Sequence, residues 1–139
     1  MRRLILSAFL LLFAATSMAG EKPYLDPVKI FDNYYGTDQM RLVAEVSTSD
    51  FRGGRSMDAW VADVVKELKR IEYQRLESEI RDTAVKDDVA LVHIRSKIDT
   101  IVGQSRQSEI FQLTRQDGTW LINDLEVTDE VIDPPKEFL

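Results

Sequence analysis

The chain has a single histidine, His93, and no cysteine. There is therefore no thiolate nucleophile, no disulfide framework and no cysteine metal site, and His93 has no second imidazole with which to hold a metal. A hard-cation site made of carboxylates is the one metal option left. As a general base His93 needs an orienting partner and a pocket. It alternates with Arg95, Lys97 and Asp99 along a run whose other parity is apolar, so it points outward. The acid pairs Asp87-Asp88 and Asp129-Glu130 fall at a turn and near the tail. Paired carboxylates do acid–base work where burial or a like charge in a cleft moves a pKa, and solvated pairs at chain reversals have neither. Asp124 and Glu126 alternate with Asn123, Leu125 and Val127, as an outward face does. These residues assign no catalytic group, no metal site and no cofactor.

Aromatic residues are the better ligand candidates. Tyr34, Tyr35, Trp60 and Tyr73 come from helices or the edge of the first strand, and Phe111 and Trp120 come from later strands. Aromatic side chains with polar tips line cavities between elements. The bland alternative is that they fill the core, with their hydroxyls on backbone partners.

The elements that position these residues can be read from periodicity. Asp26-Pro27 reads as an N-cap with proline at the first helical position, and Val28, Phe31 and Tyr35 recur at helical spacing until Gly36 stops the segment. Thr37 or Asp38 caps a second helix carrying Met40, Val43 and Val46. Arg52-Gly53-Gly54-Arg55 reads as a loop. Ser56 then caps the most strongly patterned helix, with Met57, Trp60, Val61, Val64, Val65, Leu68 and Ile71 on one stripe. This stripe is expected to lie in the hollow of a bent sheet.

After Glu72 the period changes to two. Leu76 and Ile80 predict a half-buried strand, and Lys86-Asp87-Asp88 reads as the turn into a second strand with Ala90, Val92, Ile94 and Ile98 inward. Gly103-Gln104 fits a tight turn with glycine first. A third strand carries Phe111 and Leu113 on one face, Gln116-Asp117-Gly118 suits a three-residue loop, and Trp120 and Ile122 begin a fourth strand. Pro134-Pro135 ends regular structure. The predicted class is α+β: three N-terminal helices on a curved antiparallel sheet of about four strands, cone-shaped and cystatin-like in order.

The 139 residues suit one domain behind a leader. Arg2-Arg3, the apolar run Leu4 to Ala15, and Ser17-Met18-Ala19 read as a signal peptide over 1–19, cut after Ala19. The apolar run is short of the roughly 20 residues that span a bilayer, and no cysteine follows it for a lipid anchor. Residues 20–25 read as an extension, 26–132 as the domain and 133–139 as a tail with Phe138-Leu139 at its end. The expected location is outside the cytoplasm, periplasmic or secreted. The formal net charge is −6, and loss of Arg2 and Arg3 with the leader takes it to −8. That balance argues against nucleic acid, whose phosphates need a cationic surface, and against anionic membranes.

Two stretches, "FDNYYGTDQMRLVAEVSTSDF" and "SEIFQLTRQDGTWLINDLEV", resemble the nuclear transport factor 2-like superfamily, which includes ketosteroid isomerases and polyketide-cyclase-like proteins. The first resembles its first helix, capped second helix and following Asp-Phe. The second resembles its last hairpin with Asp-Gly-x-Trp. The resemblance runs from about Asp26 to Ile132 and implies a cone fold, frequent dimers through the outer sheet face, and roles from catalysis to plain binding. It implies for the isomerases a helix tyrosine and two acids inside the cone. Tyr34 or Tyr35 matches the tyrosine, but Asp50 is followed by Phe51-Arg52-Gly53-Gly54 with no strand-borne acid. Glu109 is the nearest match for the second.

Val89 to Val92 is apolar on both parities, which predicts cover on both faces of the sheet and a homodimer through the outer one. The expected function is that of an exported, non-catalytic domain binding a small apolar ligand or a protein partner. The alternative is a proton-transfer or dehydratase-type enzyme acting on a small hydrophobic substrate inside the cone.

Overall fold

A computed structural model describes residues 22–131, with side chains described as far as Asp129. The leader, its cleavage point and the tail after residue 131 lie outside the described residues.

Helix α1 spans Leu25–Tyr34 and buries Leu25, Pro27, Val28 and Phe31. It starts one residue before Asp26, so Pro27 sits inside the first turn, where a missing N–H breaks no helical bond. Gly36, at φ 85°, reverses the chain. Thr37 Oγ1 then donates to Tyr34 O at 2.7 Å and accepts from Gln39 N–H at 3.1 Å. That small turn leads into α2, Met40–Glu45, which buries Met40, Val43 and Ala44. Helix α3, Met57–Arg70, is capped as expected, with Ser56 Oγ accepting from Ala59 N–H at 3.2 Å.

Four strands follow: β1 Gln74–Lys86, β2 Val89–Thr100, β3 Gly103–Gln116 and β4 Thr119–Val131. They form one antiparallel sheet in the order β1-β2-β3-β4. Val46 to Thr48 lies alongside β4, with Ile122 N–H donating to Val46 O at 2.8 Å and Thr48 N–H donating to Ile122 O at 2.9 Å. The core lies between α1, α2 and the inner sheet face, where Val28, Phe31, Met40 and Val43 meet Val92, Phe111, Leu113 and Ile122.

Four further sequence expectations need correction. The apolar stripe of α3 does not fill the hollow; Trp60 is its one buried residue within the helix, and Met57, Val61, Val64, Val65 and Leu68 are half-buried against the core's margin. Helix α1 takes the inner place, and α3 packs on α2. In β1 the register shifts between Arg75 and Glu77 and again between Ile80 and Asp82. Leu76 falls in the first bulge, and Ile80 pairs with Ile94 on the inner face but stands on an edge strand that the helices scarcely cover, so the two are exposed, at 40% and 43%. The β2–β3 turn is Ile101-Val102, and Gly103, at φ 108°, opens β3. The last hairpin has two loop residues, because Gln116 pairs with Thr119 while Asp117 (φ 51°) and Gly118 (φ 80°) both turn left-handed.

Candidate functional site

Strand parity places Glu109 on the inner face with Phe111 and Leu113, and its side chain is 2% exposed. A carboxylate at that depth needs strong donors. They come from Arg75, on the first bulge of β1, whose side chain is 7% exposed and reaches across the sheet. Arg75 Nη1 donates to Glu109 Oε2 at 2.8 Å and Nη2 donates to Oε1 at 2.9 Å, a bidentate pair. Nη1 also donates to the Tyr73 hydroxyl oxygen at 3.0 Å. Nη2 and Nε donate to Asp32 Oδ1 at 3.0 and 3.3 Å. Those five bonds use all five N–H groups of a guanidinium. Asp32 is closed in turn by Ser78 Oγ, which donates to Oδ2 at 2.5 Å.

The surroundings are aromatic. The Phe31 ring lies 5.4 Å from the guanidinium carbon, Tyr35 stacks on Phe31 at 4.3 Å, and Tyr73 meets Tyr35 edge-on at 5.5 Å. Tyr73 passes so close to Gly36 that a Cβ there would sit 2.7 Å from its ring. Burial pushes the Tyr73 phenol up to about 12, against smaller lowering effects from Arg75, and it also raises Tyr35. For Arg75, burial acts downward, but the bonds and charge of Glu109 outweigh it and hold the guanidinium above its ordinary value.

Of the aromatic candidates, Tyr35, Tyr73 and Phe111 gather round this cluster, with Phe111 edge-on to Phe31 at 4.9 Å. Tyr34 is half-buried at the end of α1. Trp60 packs by Phe51, and Trp120 lies between Tyr24 and the Arg115 guanidinium, so both belong to the core and its edge. His93 takes the outer face, its Nε2 2.7 Å from Ser108 Oγ. Asp88 is held at its turn by Arg115 Nε, at 2.9 Å. Among the described residues no group of three or more His, Asp or Glu could hold a metal.

Arg75, with Asp32 and Ser78 that complete its cluster, is what sequence reading missed. The parity of Glu109 was available as a signal, since an inward acid demands an inward cation. The bulge that turns Arg75 inward left no such trace.

The cluster is buried and bonded within itself. Glu109 is committed to Arg75, and the donor valence of Arg75 is filled. The open concavity nearest the cluster is a groove of about 420 Å³ outside the cone, between Gly36–Asp38, the last turns of α3 and the start of β1. Val65, Leu68 and Tyr73 give it an apolar wall, and Asp38, Lys69 and Glu72 give it a polar rim.

No family model and no curated protein matches this chain. Solved structures do. A protein of unknown function with a cystatin-like fold from Nostoc punctiforme aligns with a TM-score of 0.58 at 10% identity, covering 81% of this chain and 92% of that one. A nuclear transport factor 2-like protein of unknown function from Silicibacter pomeroyi aligns with a TM-score of 0.55 at 16% identity, covering 84% and 98%. A function-unknown protein from Mycobacterium tuberculosis gives 0.57 at 18% identity, covering 75% and 68%. The class of protein is thus an α+β cone. More particularly, the chain has the nuclear transport factor 2-like fold.

Proposed function

We propose that this protein is a non-catalytic binding domain, exported with its leader removed after Ala19, that takes a small amphipathic molecule in the groove beside α3. One observation carries the reading: the interior, where a cone enzyme would hold its reacting atoms, is filled by an arginine whose five N–H groups are all engaged by Glu109, Asp32 and Tyr73. Proton transfer needs an acid or base within reach of substrate, and Glu109 is 2% exposed and paired bidentately with Arg75. The groove offers what the interior lacks. Its half-buried stripe of Val65 and Leu68 gives apolar contact, and Lys69, Glu72 and Asp38 supply orientation at the rim.

The test is native mass spectrometry of protein purified from its own envelope fraction. The expected spectrum has a polypeptide mass starting at Gly20 and a retained small molecule that Leu68→Glu removes. A bare polypeptide, or a ligand kept by Leu68→Glu, would sink the binding reading, and an intact leader would sink export.

A further inference from the structure

The outer face of the sheet has its own charge order, independent of the cone interior. Cross-strand pairing sets Glu77 against Lys97 and Arg106, Glu79 against Arg95 and Ser108, and Asp82 against His93, Ile110 and Glu126. The described acids of these rows stand on the edge strands β1 and β4, and the bases stand on the central strands β2 and β3. At the centre is a concavity of about 290 Å³. Arg95 and Arg106 enter it from adjacent strands with His93 and Ser108, and Thr128 borders it from β4. Arg81 joins from the second bulge of β1, which brings its guanidinium to Glu79 on the same face, at 2.6 Å. Asp129, the acid on the lining, belongs by parity to the inner face and accepts there from Gln107 Nε2 at 2.7 Å. Arg106 has no ion-pair partner among the described side chains.

We infer that this concavity binds a small tetrahedral oxyanion, a phosphate or sulfate, free or as the head of a small ester. Arginines of three neighbouring strands line one hollow, and a guanidinium there fits such an ion bidentately in a way that a lysine would not. The Ser108 and Thr128 hydroxyls add neutral donors. A concave basic centre also focuses the field locally, although the molecule as a whole is acidic. The volume suits the ion with a short organic body and little more.

The experiment is a ¹⁵N-resolved NMR titration of the full mature chain with inorganic phosphate, ionic strength being held constant with chloride. Saturable shifts at His93, Ser108 and Thr128 are expected, with none from chloride alone. Arg106→Gln should weaken phosphate by at least about tenfold, the worth of a charge-assisted bond, and Lys66→Gln, exposed on α3 and outside both concavities, should leave affinity unchanged. If Arg106→Gln fails to fold, Arg106→Lys, which keeps the charge and loses the fork, should weaken binding several-fold. Shifts that chloride reproduces, or full affinity in the Arg106 variant read, would overturn the inference. A simple alkyl phosphate that binds more tightly than the inorganic ion identifies an ester as the occupant, and equal or weaker binding identifies the free oxyanion.

Discussion

Arg75 and Glu109 set a sharp energetic condition at the level of single residues. Removing one member of a buried, fully bonded pair leaves the other charge without compensation, at a cost of about 3–5 kcal/mol, whereas replacing both with apolar groups of similar volume is often neutral. Arg75→Met should therefore lower the urea midpoint steeply, and Arg75→Met with Glu109→Leu should recover most of it, because Asp32 is 32% exposed and can turn to water. A double variant as unstable as the single would show that the pair does more than fill the cone. Tyr73 gives a second condition. Its folded value, about 12, lies above the ordinary 10.0, so the folded state keeps a proton that the unfolded state loses. Its contribution to stability is complete below pH 10 and is lost as pH rises towards 12. Chemical unfolding at pH 9 and pH 11 should show this loss in the parent and a smaller one in Tyr73→Phe.

Helix α3 is the element whose capping and packing separate most clearly. Ser56 Oγ satisfies one N–H of its first turn, and Ser56→Ala should cost about 1 kcal/mol in thermal unfolding. A loss near zero would mean that water or the ion pair between Arg55 and Asp63 serves the turn equally well. The cap was legible because it depends on neighbouring residues, as was the parity of β2. The place of α3 was not. Periodicity says that a helix has an apolar stripe but not what covers it, and here Val28 and Phe31 of α1 take the inner position. The bulges of β1 were illegible for a related reason. An inserted residue leaves composition and local pattern unchanged, and only pairing with β2 reveals it. The candidate site was accordingly half visible: Glu109 and the tyrosines could be named, but Arg75 and Asp32 could not.

For the whole molecule the open question is self-association. The apolar run Val89 to Val92 prompted the homodimer expectation, yet Leu91 is 5% exposed within the single chain, so a second copy is not needed to cover it. We propose that a dimer through the outer face carries an electrostatic condition. In an isologous pair each patch meets its own copy, so residues near the two-fold axis face themselves. The basic centre formed by Arg95 and Arg106 would then lie against its twin, with the acids of β1 and β4 at the margins. That contact is repulsive unless an anion lies between. Binding of phosphate and pairing of chains should therefore be positively linked, and linkage is reciprocal. In sedimentation velocity at constant ionic strength, added phosphate should move the monomer–dimer midpoint to lower protein concentration, and Arg106→Gln should dimerise without it. If phosphate leaves the midpoint where chloride does, or the protein stays monomeric throughout, the outer face is no dimer contact, and the oxyanion site stands or falls on its own titration.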